Sequence, residues 1–182
     1  IRHEAAEYTV LLNREQMLAW CPPALTLQAL DELLEPDLLF PAAPTEQSAT
    51  IGGAVATDAS GARSFRWGAT REWVEALEVI LPDGDRLVIN RGDVMATGDV
   101  LRFSGESGAS RTVPLPTYEM PRTQNAAGLY AAEDMDLIDL FVGSEGILGV
   151  VTGALVRLTP RPTLFSDTAF FGSEDAALAH AD

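Results

Sequence analysis

The sequence predicts a domain that mixes helices with strands, and three local patterns carry that prediction. Leucines recur at Leu27, Leu30, Leu33 and Leu34 behind Thr26, the spacing of a short amphipathic helix with a hydroxyl at its cap. Two strand-like segments, Trp73 to Leu81 and Arg86 to Ile89, flank Pro82-Asp-Gly-Asp85, where the Asp83-Gly84 pair marks a hairpin turn. Val150 to Leu158 alternates as a half-buried strand does.

Taken in chain order, two apolar stretches come first, Tyr8 to Leu12 and Met17 to Trp20. The helix from Thr26 ends before Pro36, which cannot continue it. Phe40 to Ser48, with Pro41 and Pro44, is a turn-rich approach to the run Thr50 to Gly61. Small residues fill almost all of that run and let a backbone come close to a ligand or to another backbone. Past Gly68 lies the hairpin. Asn90 to Gly128 has no clear period, is rich in Gly, Ser, Thr and Pro, and reads as a long, partly mobile excursion. Met135, Leu137, Ile138, Leu140 and Phe141 suggest a short helix over Asp134 to Phe141 that leads into Gly143-Ser-Glu-Gly-Ile-Leu-Gly149. After Pro160 and Pro162, Thr168 to Phe171 reads as a new strand and Ser173 to Ala181 as a helix capped by Ser173. Residues 1–160 are therefore expected to form one domain, and 161–182 to begin another. The chain opens on Ile1 rather than Met, and it is expected to be a trimmed piece of something longer.

Composition narrows the function classes. With 182 residues, 47% of them hydrophobic and 21% charged, the chain can bury a real core. Its net charge is −15, and all 12 basic residues are Arg. That balance argues against nucleic acid, whose partners carry a basic face, and does not favour an anionic membrane. No apolar run approaches the roughly 20 residues of a bilayer span. Eight of the twelve arginines fall within residues 61–122. Either they pair locally with acids on a solvated surface, Arg71 with Glu72 or Glu75, or Arg63, Arg66 and Arg71 lie near an anionic ligand. The single Cys21 excludes an internal disulfide and fits a reducing compartment. His3 and His180 stand at opposite ends of the chain and assemble neither a triad nor a metal site, so no catalytic base is named and no metal is expected.

The runs Thr50 to Gly61 and Val142 to Gly149 are where ligand chemistry is expected. Main-chain N–H groups bared by glycine form anion-binding concavities, and a helix N-terminus adds partial positive charge. A tight turn between core elements explains each run equally well. Neither is a GxGxxG opening a helix after a strand, and a chain without Lys has no Walker loop. Six runs, in order, resemble the FAD-binding domain of the vanillyl-alcohol oxidase superfamily, the PCMH type. They are Phe40-Pro-Ala-Ala-Pro-Thr45, Ser48-Ala-Thr-Ile-Gly-Gly53, Ala56-Thr-Asp-Ala-Ser-Gly61, Trp67-Gly-Ala-Thr-Arg71, Leu81-Pro-Asp-Gly84 and Val142-Gly-Ser-Glu-Gly-Ile-Leu-Gly149. Glycolate oxidase subunits, D-lactate and D-2-hydroxyglutarate dehydrogenases and alkyldihydroxyacetonephosphate synthase share this domain.

The resemblance implies an α+β fold with a mixed or mainly antiparallel sheet of about five strands flanked by helices, the second subdomain of such a domain. It implies FAD as cofactor and a parent flavoprotein oxidising a small 2-hydroxy acid or alcohol by hydride transfer. The segment Pro44 to Ala49, with Pro44, Thr45, Ser48 and Ala49, and the pair Gly52 and Gly53 would line the flavin ring and pyrophosphate, with main-chain donors from every one of these but Pro44. Thr57, Asp58, Ala59, Ser60 and Gly61 would continue along the dinucleotide. Glu145, Gly146 and Gly149 would approach the adenosine half, with Val150 or Val151 offering backbone groups to adenine. Asn125-Ala-Ala-Gly128 also resembles a subgroup, and Asp136 and Asp139 read as a solvated helix face.

Residues 1–25 contain no Arg-Gly-Gly-Gly-Thr loop, which such domains usually carry, and their apolar stretches read as a remnant of the first subdomain. A C-terminal substrate domain is expected outside these residues, so the partners would be a partner subunit or the remaining domains of the parent, besides the substrate. The expected location is cytoplasmic, peripheral to a membrane only through partners. The alternative is a non-catalytic flavin-binding or structural remnant.

Overall fold

A computed structural model describes residues 9–121, 123, 125, 128–163 and 168–181. Tyr8, His3 and the Ala126-Ala127 pair named above lie outside the described residues.

The local patterns form as their chemistry requires. In α1 (Leu27–Leu34) the Thr26 hydroxyl accepts from the Ala29 N–H at 3.2 Å, while Leu27, Leu30 and Leu34 are buried and Leu33 faces out. The hairpin forms from β4 (Val74–Ile80) and β5 (Arg86–Asn90), with Gly84 at φ +84° in its turn. The alternating segment is β8 (Val150–Arg157), which buries Ala154 and Val156 and exposes Val150 and Arg157.

These strands join β1 (Leu11–Asn13) and β2 (Leu18–Cys21) in one five-stranded sheet of order β1-β2-β8-β4-β5, and every pairing is antiparallel. The fold is α+β, as expected. β8 lies at the centre because it pairs on one side with β2 and on the other with β4, and register shifts near Ala76 and Val79 bend the second pairing. A small ladder of β3 (Leu38–Leu39) with β9 (Thr159–Pro160) ties the segment after α1 to the end of β8. The core sits where Leu77 and Val79 of β4 and Val156 of β8 meet Leu30 and Leu34 of α1, with Ile51, Val55 and Phe141 in the same cluster.

Three expectations change. The apolar stretches before residue 25 contribute β1 and β2 to the main sheet, β1 paired to β2 and β2 to β8, so they are built into the same sheet as the hairpin. Asn90 to Gly128 is not structureless: β6 (Val100–Ser104) and β7 (Ser110–Pro114) form a hairpin with Leu101 opposite Val113. Only Leu101 and Phe103 on β6 are buried, so a two-residue alternation is all the sequence displays. Thr168 to Phe171 is irregular backbone, whereas α5 (Glu174–Ala181) does begin at a Ser173 hydroxyl that accepts from Ala176 N–H at 3.3 Å.

Charged side chains clasp the second hairpin to the first. Asp85 accepts from the Ser107 N–H (2.9 Å) and hydroxyl (2.7 Å) and pairs with Arg111 at 2.8 Å, while Arg111 also reaches Asp83 at 2.6 Å. Arg86 bridges Glu78 and Glu106. Among the described residues no helix is long and apolar enough to cross a membrane.

Candidate functional site

The first glycine-rich run begins with α2 (Ile51–Ala56), which faces the core with Ile51, Ala54 and Val55. Its cap is Thr50, whose hydroxyl accepts from the Gly53 N–H at 3.1 Å. The two adjacent glycines have different reasons to be glycine. Gly52 donates its N–H to Pro23 O at 2.8 Å, and a Cβ there would lie 2.8 Å from Pro23 Cβ. Gly53 is exposed, and a Cβ there would meet only the Thr50 hydroxyl, at 3.3 Å.

Beyond α2, Thr57 donates its hydroxyl back to Gly53 O at 2.9 Å. Asp58 takes φ +47°, Ala59 N–H bonds Ala54 O and Gly61 N–H bonds the Ser64 hydroxyl at 2.8 Å. A Cβ at Gly61 would lie 2.6 Å from Ala43 O and 2.9 Å from Pro44 Cα, so this glycine closes the run against the Pro44 turn. Ser48 and Ala49 both donate their N–H groups to Glu46. Internal acceptors thus take up the main-chain donors of Ser48, Ala49, Gly52, Gly53, Ala59 and Gly61. What this run presents outward is the bare Cα of Gly53 and the exposed residues Thr45, Ser48, Thr57 and Ser60.

The second run docks on the end of α2. α4 (Leu137–Phe141) stops at Val142, Gly143 turns at φ +79° and donates its N–H to Val55 O at 2.9 Å, and Glu145, at φ +52°, donates to Ala56 O at 2.7 Å. Gly146 is exposed at φ +78°, with open space where a Cβ would be. Gly149 instead packs on the sheet, where a Cβ would sit 2.7 Å from Val79 Cγ1. Val150 and Val151 lie opposite Ile80 and Val79 in the β4 pairing. The two runs, far apart in sequence, therefore meet directly.

Arg71 stands at that junction. Its N–H and Nε donate to the two Asp58 carboxylate oxygens at 2.8 and 3.2 Å, Nη2 donates to Val142 O at 2.6 Å and Nη1 to Asp139 O. Its guanidinium lies 4.3 Å from the centre of the Tyr130 ring, and 3.7 Å separates Nη1 from the Asp139 carboxylate. The expected pairing with Glu72 or Glu75 is corrected: the partners are Asp58 and Asp139, distant in sequence. Asp136 and Asp139 are likewise not a solvated face. Both are buried, because they cap α4 where it enters the core: Asp136 accepts from Ile138 N–H at 2.8 Å and from Gly92 N–H at 2.5 Å, and Asp139 faces Arg71 and Arg91. Buried carboxylates persist only with such donors around them.

Of the other arginines singled out, Arg63 and Arg66 have no ion-pair partner among the described residues, and Arg66 lies 5.1 Å from the Trp67 ring centre. Arg63 borders a cleft of about 200 Å³ shared with Pro44 and Thr45. Arg66 borders a larger one, about 500 Å³, whose walls include Asp58, Gly143, Gly68 and Tyr130. Tyr130 was not singled out by sequence, and no local pattern around it carries a signal. Cys21 is buried, which pushes its thiol up to about 12 and leaves it inert.

Residues 8–90 match the FAD binding domain family. Glycolate oxidase subunit GlcD of Bacillus subtilis is 32% identical over 169 residues, which cover 91% of this chain and 28% of that protein. D-lactate dehydrogenase of Archaeoglobus fulgidus is 31% identical over 151 residues, covering 82% of this chain and 26% of that one. D-2-hydroxyglutarate dehydrogenase of Stutzerimonas stutzeri is 29% identical over 153 residues, with coverages of 83% and 25%. This chain thus spans less than a third of the length of these relatives. Among solved structures, alkyldihydroxyacetonephosphate synthase shares the fold with a TM-score of 0.54 at 19% identity, over 86% of this chain and 22% of that chain.

Proposed function

Because residues 8–90 match the FAD binding domain family, we propose that this chain is the FAD-holding part of an oxidoreductase that oxidises a small 2-hydroxy acid or alcohol. The observation that carries the reading is the meeting of the two glycine-rich runs, through Gly143 to Val55 and Glu145 to Ala56, with Gly53 in the first and Gly146 in the second each exposed. An elongated anionic dinucleotide needs points where a backbone can be approached closely and hydroxyl donors near them, and exposed Gly53 and Gly146 with exposed Thr45, Ser48 and Ser60 supply both.

In this reading Thr45, Ser48 and Ser60 donate hydroxyls to the dinucleotide, Thr57, whose own proton goes to Gly53 O, flanks it, Gly53 admits its close approach, and Gly146 does so on the adenosine side. Pro44, Ala49, Gly52, Asp58, Ala59, Gly61, Glu145, Gly149, Val150 and Val151 shape or flank that surface. Each hydrogen bond to a charged phosphate contributes about 1.5–3 kcal/mol, enough in number to outweigh the repulsion of an acidic surface screened beyond about 8 Å. FAD, when bound, supplies acceptance of a hydride from the hydroxyl-bearing carbon, and the protein supplies binding and orientation. Substrate contacts come from domains or a partner subunit outside these residues, with 161–182 opening the next domain, and the whole acts in the cytoplasm.

The test is a titration of the 182-residue chain with FAD, read by visible absorbance, flavin fluorescence and thermal stabilisation. Stoichiometric uptake that Gly53→Val abolishes is the expected result. No flavin bands and no stabilisation would sink the reading. That outcome favours a second one, a non-catalytic remnant subdomain, motivated by the internal use of the Gly52 and Gly53 N–H groups.

A further inference from the structure

We infer that Arg71 is the positioning residue that holds the two FAD-facing runs in one arrangement, so that cofactor affinity depends on it although it need not touch the cofactor. The inference rests on the FAD reading above. Asp58 turns the first run just past the end of α2, in a left-handed conformation that non-glycine residues seldom adopt. Both of its carboxylate oxygens are taken by Arg71, one by the main-chain N–H and one by Nε, which fixes the turn from its own backbone outward. The far end of the same side chain bonds Val142 O, the carbonyl immediately before Gly143, and Asp139 O in the last turn of α4.

One planar group therefore connects the residue that ends α2's turn to the residue that starts the second run. The main-chain bonds Gly143 to Val55 and Glu145 to Ala56 close the same seam from the other side. Tyr130 covers the guanidinium face, and the Arg71 side chain is only 15% exposed, so water competes weakly for these donors. Lysine cannot take over: an ammonium is a point donor on a flexible stem, whereas the guanidinium presents its donors in a fixed fork.

A stability role alone would not single this residue out. Its side-chain bonds run to Asp58, Asp139 and Val142, and none runs to α1 or β8. Arg157 supplies the comparison: it bonds Glu72 O at 2.5 Å, pairs with Glu75 at 3.4 Å and lies 5.0 Å from the Trp73 ring centre, yet touches neither run.

The experiment measures FAD affinity by flavin fluorescence, urea midpoint by circular dichroism and amide exchange at Gly143 and Glu145, for the unaltered chain, Arg71→Lys, Asp58→Asn and Arg157→Gln. Arg71→Lys is expected to weaken FAD roughly tenfold or more, as loss of a charge-assisted bond does, and to speed exchange at both amides. Asp58→Asn moves the same readouts in the same direction, while Arg157→Gln, at a half-exposed site, lowers stability modestly and leaves FAD affinity unchanged. An Arg71→Lys affinity equal to that of the unaltered chain overturns the inference alone. So does loss of affinity in Arg157→Gln in proportion to lost stability. Failure of the unaltered chain to take up FAD overturns the cofactor reading, and this inference with it.

Discussion

Alanine at Gly52 and alanine at Gly53 are the same chemical change at neighbouring positions of α2, and the geometry around them expects opposite results. In a helix, Gly→Ala gains up to about 1 kcal/mol from the smaller loss of backbone entropy. At Gly52 the new Cβ would lie 2.8 Å from Pro23 Cβ, 3.0 Å from Pro23 O and 3.2 Å from Pro23 Cα. Relief needs the Pro23 turn to move, which costs about 1–3 kcal/mol, and stretches the Gly52 to Pro23 hydrogen bond, worth about 1 kcal/mol. The net expectation is a loss of about 1–3 kcal/mol. At Gly53 the Cβ meets only the Thr50 hydroxyl at 3.3 Å, on an exposed face, so the chain keeps its stability or gains up to about 1 kcal/mol. Urea unfolding followed by circular dichroism reads both. For a chain of this size each kcal/mol moves the thermal midpoint by about 2–4 °C, well within resolution. A Gly52→Ala protein as stable as Gly53→Ala would refute the assignment of Gly52 to packing and Gly53 to the open face.

Three further outcomes are expected. Leu77→Ala empties a fully buried site at the sheet centre and should lower the unfolding free energy by about 2–5 kcal/mol in the same urea assay. The Cys21 thiol, held up to about 12 by burial, should stay unreactive toward a thiol reagent at about pH 8 until the protein unfolds, and rapid labelling of native protein would contradict that burial. The hairpin clasp should weaken in acid. Glu78 is held below its ordinary range first by its bond from Arg86, Asp83 first by Arg111, and Asp85 first by the Ser107 hydroxyl. Each folded pKa lies below the unfolded one, so this stabilisation is complete above about pH 4–5, the unfolded carboxylate range, and is lost as pH falls through the lower folded values. Urea midpoints between about pH 7 and pH 3 should fall less steeply in Arg111→Gln, whose clasp is already broken.

Part of the candidate site is legible in the amino-acid order. The glycine-rich runs are recognisable because small residues in a row restrict what a backbone segment can do, and that restriction is local. Which glycine serves packing and which faces outward is not legible. Gly52 meets Pro23, Gly61 meets Ala43 and Gly149 meets Val79, and none of those neighbours is marked in the glycine's own surroundings in sequence. Arg71 is the sharper case: Glu72 and Glu75 are close in sequence and are the natural partners to expect, yet the 3₁₀ turn at Thr70–Trp73 aims the side chain at Asp58 and Asp139.

The amino-acid order alone determined α1, the β4–β5 hairpin and β8, because a cap, an Asp-Gly turn and a period of two residues are settled by neighbours a few positions away. It also carried the resemblance to FAD-binding domains, since six ordered runs survive where any one of them would be ambiguous, and residues 8–90 match that family. Tertiary structure decided that β2 and β4 flank β8, that Asp136 and Asp139 turn inward, and that the two glycine-rich runs share hydrogen bonds at Val55 and Ala56. Those outcomes depend on which distant segments bury one another's apolar faces and satisfy one another's donors, a choice that no local period encodes.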